Sequence, residues 1–124
     1  MGLNEIRLGL PVPYPGDCVL HHLVGVRYAR EIMDDGGFYQ PEQLLQMGLI
    51  DQLLPLERVL PESIERARSL GAWPQEAFAM IKRNRVEGVE AQVLARLEEK
   101  EQSFIERWYS DEARQRLREA MEKF

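Results

Sequence analysis

Glu5 places a carboxylate within the stretch Leu3-Asn4-Glu5-Ile6-Arg7-Leu8. A free glutamate has a pKa of about 4.3, so it acts as a base when ionised, and burial near a second carboxylate moves that value toward working pH. The commoner fate of such a side chain is a partly exposed carboxylate at a strand end. His21 and His22 are adjacent, so on a helix they point about 100° apart and do not converge on one metal. Surface or interface positions are expected for both. Cys18, the single cysteine, has no neighbouring base to mark a nucleophile and reads as a small packed or loop thiol. It also excludes an intrachain disulfide and a multi-cysteine site, so no metal is expected.

Lys82, Arg83 and Arg85 make the densest basic cluster, and Lys123 lies in the tail. Either could meet phosphates, although a solvated helix face is the ordinary reading of such charges. Phe104, Trp108, Tyr109 and Phe124 read as core or subunit-contact residues rather than ligand-stacking ones. A Gly-rich phosphate loop, a nucleophile elbow, HExxH and paired CxxC are all absent from the sequence.

The elements that must position these residues are mostly helical. Leu3 to Leu10 alternates as a short strand would, and Pro11, Pro13, Pro15 and Gly16 end it. Asp17 is placed to cap a helix through Val24, and beyond Gly25 the spacing Val26, Ala29, Ile32, Met33 predicts another, stopped by Gly36-Gly37. Pro41 opens a short helix closed by Gly48, and Leu49 to Leu54 reads as a second short strand. Pro61 and Pro74 each read as helix openers, and Gly88 as an interruption. Val89, Val93, Leu97, Phe104 and Trp108 then share one helix face, opposite Glu90, Arg96, Glu99 and Lys100. Ser110 caps a last helix whose apolar side holds Ala113, Leu117, Met121 and Phe124. A strand beginning near Met1 without partners leaves backbone groups unpaired, so a missing N-terminal half or another subunit is expected to complete a sheet.

With 124 residues, 44% hydrophobic and 30% charged, the chain fits one globular domain with a modest core. The 21 acidic side chains outnumber the 16 basic ones, giving a net charge of −5 with no concentrated positive face, which argues against nucleic acid as a partner. The lone cysteine and the absence of a signal-like or membrane-length apolar run predict a soluble, cytoplasmic protein that does not contact membrane.

The stretch Gly2-Leu3-Asn4-Glu5-Ile6-Arg7-Leu8-Gly9-Leu10 resembles the crotonase segment in which a glutamate preceded by Pro or Asn is followed by an aliphatic residue and Leu-Gly. Val24-Gly25-Val26-Arg27-Tyr28-Ala29 is similar to that family's Val-Gly-x-x-x-Ala turn. Tyr39-Gln40-Pro41-Glu42-Gln43-Leu44 followed by Gly48-Leu49-Ile50-Asp51 is similar to its Ser-Ala-x-Glu-Ala and Gly-Leu-Val-Asp pair. Ala77-Phe78-Ala79-Met80-Ile81-Lys82 and the ending Trp108-Tyr109-Ser110-Asp111-Glu112 with Glu122-Lys123-Phe124 complete the order. Five weak signals in sequence are far more specific than one.

The resemblance is to the C-terminal half of an enoyl-CoA hydratase/isomerase superfamily protein and implies a predominantly α fragment of a crotonase-like α/β fold. A short N-terminal strand and about six helices are expected. Residues 1–54 would end the crotonase core and carry the glutamate strand, and 55–124 would form a helical oligomerisation region. The implied chemistry acts on a coenzyme A thioester, held as an enolate by two backbone N–H groups while carboxylates move protons, with no prosthetic group. Glu5 is the implied acid/base residue, and Lys82 and Lys123 the implied contacts to CoA. The family's oxyanion-hole donors, most of its CoA-binding loop and its other acid/base glutamate lie in the half not matched here. The isolated chain is therefore expected to be an inactive, truncated domain that assembles as a trimer or hexamer. Where family hydratases tend to carry Gly-Gly-Thr-Gln, this chain has Pro13-Tyr14-Pro15-Gly16-Asp17-Cys18, which counts against water addition and leaves isomerase, hydrolase or ring-cleaving chemistry open. The alternative is a non-catalytic helical interaction module.

Overall fold

Prolines and glycines punctuate the chain, and most helix boundaries follow them. The computed structural model describes residues 1–122. Among these, five α-helices follow one short 3₁₀ turn: the turn Glu5–Leu8, α1 Tyr14–Asp35, α2 Pro41–Met47, α3 Leu56–Gly71, α4 Gln75–Trp108 and α5 Asp111–Met121. Pro41 starts α2 and Gly48 ends it with φ 77°, donating to the Leu44 and Leu45 carbonyls. Gly36 ends α1 in the same left-handed region, at φ 58°. Gly25, at φ 74° and ψ 168°, breaks α1 into the two segments that the sequence predicts. Ser110 caps α5, its hydroxyl accepting from Ala113 N at 3.3 Å.

Several expectations are corrected. The described residues form no strand: Leu3 to Leu10 turns tightly instead, and Leu49 to Leu54 is irregular. The turn satisfies its groups locally, with Arg7 N donating to Asn4 O at 3.0 Å, Gly9 N to Ile6 O at 3.1 Å and Leu10 N to Glu5 O at 2.9 Å. It therefore needs no partner sheet. Met1 and Tyr39 exchange a reciprocal backbone pair, Tyr39 N donating to Met1 O at 2.9 Å and the Met1 amino group to Tyr39 O at 3.1 Å. The helix count is five rather than about six, because α4 runs unbroken through Gly88, adding about 51 Å of continuous helix. Pro61 lies inside α3, which opens five residues earlier, after Pro55. As the sixth residue of α3 it lies past the N–H groups that lack intrahelical acceptors, so it forgoes the bond that would run to the Glu57 carbonyl. Asp17 likewise falls inside α1, which starts at Tyr14 after Pro13.

The core gathers Leu20, Ala29 and Ile32 of α1 with Tyr39 and with Leu44 and Met47 of α2. Fully burying a Leu, Ile or Met side chain of this set contributes roughly 1.5–3 kcal/mol. α1 also packs on α4, whose half-buried face carries Val89, Val93, Leu97, Phe104 and Trp108, as the spacing predicts. Phe104 and Trp108 stack with ring centroids 6.1 Å apart. α3 contributes no buried residue, although its apolar positions form a clean stripe. No helix among the described residues is long and apolar enough to cross a membrane.

Candidate functional site

Glu5 opens the 3₁₀ turn and is half buried. Its Oε2 is buried and has no hydrogen-bond partner among the described residues, the one such side-chain atom found there. Leaving a buried polar atom unpaired costs about 1–3 kcal/mol, more when it is charged.

Three elements hold the turn. From the end of α4, Arg107 Nε donates to Gly9 O at 2.7 Å, and Arg107 Nη2 donates to Glu112 Oε2 at 2.5 Å. From α5, Arg116 Nε donates to Glu112 Oε1 at 3.3 Å while its Nη1 reaches Arg7 O at 3.5 Å. From the other side, Arg7 Nη2 donates to Asp35 O at the end of α1, at 3.3 Å. The hydrogen bond and charge of Arg107, with a smaller contribution from Arg116, hold the Glu112 carboxyl below its usual range. Gly9 accepts the positive φ of 70° that closes the turn, and Arg116 Cδ sits against it. Gly36 leaves room for Ile6, whose methyl would meet a Cβ there.

The remaining candidates lie apart from this turn. Lys82 is exposed on α4, 25 residues before Arg107 and hence about 38 Å along the helix from it. Lys123 and Phe124 lie outside the described residues. His21 Nδ1 sits 2.7 Å from Asp17 Oδ1 one helical turn earlier, whereas His22 is exposed. Cys18 is buried on α1, where its thiol, hydrogen-bonded to Tyr14, raises the Tyr14 hydroxyl above the usual phenol range. Burial does the same for Tyr39, helped by the nearby Asp35 and Glu31 charges. No group of three His, Cys, Asp or Glu side chains among the described residues is placed to hold a metal ion. The Arg107, Glu112 and Arg116 network was not singled out from sequence. The three residues lie close together in α4 and α5, but their targets, Gly9 and Arg7, lie about a hundred residues away, beyond the reach of periodicity.

Among the described residues, the helical scaffold thus holds one buried, unpartnered polar side-chain atom, a carboxylate oxygen. The family description enoyl-CoA hydratase/isomerase matches residues 1–124, and the chain belongs to that family. It is 30% identical over 82 residues to "Enoyl-CoA delta isomerase 1, mitochondrial" of Homo sapiens, a match covering 66% of this chain and 27% of that protein. It is 39% identical over 67 residues to "Fatty acid oxidation complex subunit alpha" of Shewanella halifaxensis (strain HAW-EB4), covering 54% of this chain and 10% of that one. The crystal structure of human mitochondrial delta3-delta2-enoyl-CoA isomerase superposes with a TM-score of 0.91 over 99% of this chain and 48% of the other, at 24% identity, and so shares the fold. The chain spans about half of that solved structure and a smaller part of the curated relatives.

Proposed function

We propose that this chain supplies the acid/base half of an acyl-CoA-processing enzyme, with Glu5 moving a proton at the carbon beside a thioester carbonyl. The observation that carries this reading is the buried, unpartnered Glu5 Oε2 within a segment of enoyl-CoA hydratase/isomerase type. A carboxylate kept free of hydrogen-bond donors retains its lone pairs for a substrate proton. Removing that proton makes an enolate, which requires N–H donors at the carbonyl oxygen, and these are assigned to the half of the enzyme beyond this chain. On this account the chain is inactive alone.

Double-bond isomerisation is the reaction best matched to one carboxylate. Glu5 takes the proton from one carbon, the electron pair moves to displace the double bond, and the same carboxyl returns the proton at the far carbon. Hydration would require in addition a held water, and the Pro13-to-Cys18 segment replaces the stretch typical of hydratases. Lys82 is assigned to the CoA phosphates, though not beside Glu5 of the same chain if α4 stays straight. Coenzyme A enters as part of the substrate, and no prosthetic group is invoked.

Residues 55–124 are assigned to homo-oligomer assembly, as a trimer or hexamer. The support is the apolar stripe of α3, where Leu56, Leu60 and Ile64 are 88%, 69% and 42% exposed, more than a stable monomer usually leaves along one face. The test of the function is Glu5→Gln in the assembled enzyme given a 3-enoyl-CoA, following the conjugated 2-enoyl product by its absorbance. Loss of turnover with the fold intact is expected, and undiminished turnover would refute the role of Glu5.

A further inference from the structure

The 3₁₀ turn that carries Glu5 is weakly anchored by its own residues. None of its four residues is buried, and its first residue has no side-chain cap. Only Leu10, just past the turn, is sunk into apolar surroundings, at 5% exposure. Short 3₁₀ segments also have poorer hydrogen-bond geometry than α-helix. Something else must fix where the Glu5 carboxyl points.

We infer that Arg107 is a positioning residue for Glu5, acting through the Gly9 carbonyl; the catalytic consequence rests on the acid/base reading of Glu5 given above. Arg107 uses two donors of its guanidinium, Nε to Gly9 O at 2.7 Å and Nη2 to Glu112 Oε2 at 2.5 Å, so its own orientation is fixed from α5. Glu112 is in turn held by Arg116 Nε at 3.3 Å. The guanidinium thus reaches Gly9 already aligned. Gly9 transmits the restraint to Glu5, because Gly9 N bonds back to the Glu5 and Ile6 carbonyls and Leu10 N donates to Glu5 O at 2.9 Å. Releasing Gly9 frees the bonds that close the turn. A displacement of about 1 Å in a reacting group can cost on the order of a hundredfold in rate, so a restraint of this kind acts on catalysis without touching substrate.

The test has two arms. In the full chain, hydrogen exchange is followed at the Leu10 amide and, as a control for global unfolding, at the Ala29 and Ile32 amides of α1. Arg107→Met, which keeps the apolar stem and removes the donors, is expected to speed Leu10 exchange by about tenfold or more while leaving the α1 amides unchanged; Arg107→Lys, with one donor able to reach Gly9 O, falls between. In the active assembly, Arg107→Met is expected to lower kcat by about tenfold to a hundredfold with KM within about twofold, and Arg107→Lys to recover part of it. Unchanged Leu10 exchange, or faster exchange with kcat intact, overturns the inference. If Arg107→Met also deprotects α1, Glu112→Gln replaces it, with a smaller local effect expected and no effect counting against the inference. If instead Glu5→Gln keeps full turnover, the acid/base reading fails, and the exchange arm alone decides whether Arg107 holds the turn.

Discussion

Arg107 and Gly9 stand 98 residues apart in the chain, yet Arg107 Nε donates to Gly9 O across 2.7 Å. The contact ties the end of the longest helix to the turn bearing the candidate acid/base residue. The C-terminal helices thereby do more than extend the fold. Through Arg107 and Arg116 they hold the Gly9 and Arg7 carbonyls of the segment that carries Glu5.

Acid should loosen this network. Arg107, and less strongly Arg116, lower the folded-state pKa of Glu112, so its contribution to stability is present above the ordinary glutamate value and disappears as pH falls through the depressed one. Urea unfolding of wild type and Glu112→Gln should differ near neutral pH and converge on acidification. A difference that grows toward low pH would contradict the assignment.

Gly88 offers a stabilising substitution. It sits within α4, and a Cβ built there meets nothing within 4 Å, so no packing requires glycine. Gly88→Ala should raise stability by about 0.5–1 kcal/mol, read as a higher urea midpoint with an unchanged slope.

Gly36 should behave in the opposite way. It is buried with φ 58°, and a Cβ would lie 2.6 Å from Ile6 Cγ2. Gly36→Ala should cost about 1–3 kcal/mol through strain and through displacement of Ile6, beside Glu5. Thermal unfolding measures it.

Removing the cap of α5 is predicted to be milder. Ser110→Ala deletes the acceptor for Ala113 N and should cost about 1 kcal/mol, with fraying of α5 visible as faster amide exchange there.

The punctuating residues made most of the fold readable in advance. Pro41 with Gly48, Gly25, Gly36 and Ser110 each act locally, through φ restriction or a cap, and the structure uses each as the sequence predicts. The α4 face was readable because its period extends over five residues from Val89 to Trp108. The errors came where local pattern was outweighed. Leu3 to Leu10 alternates like a strand, but short-range carbonyls close it into a turn instead. Gly88 was overridden by the flanking helix, since one glycine costs only about 1 kcal/mol against many turns of helix. Glu5 was singled out by its type and its flanking motif, whereas its burial and the Arg107 clamp depend on contacts across the whole chain.

The α3 stripe predicts an assembly that can be broken. Leu60→Glu places a charge on the exposed apolar face without disturbing any buried residue. Sedimentation should show a shift toward monomer with helical circular dichroism retained, and an unchanged mass would remove α3 from the interface.

Glu5→Gln tests the central claim most directly, measured as exchange of the substrate's α-proton for deuterium by the assembled enzyme on an enoyl-CoA, alongside thermal unfolding. The account predicts exchange reduced by about 10²–10⁴-fold with the fold retained, because the amide cannot accept the proton. Exchange at the wild-type rate would contradict it, and Glu5 would then be a half-buried carboxylate with no part in the chemistry.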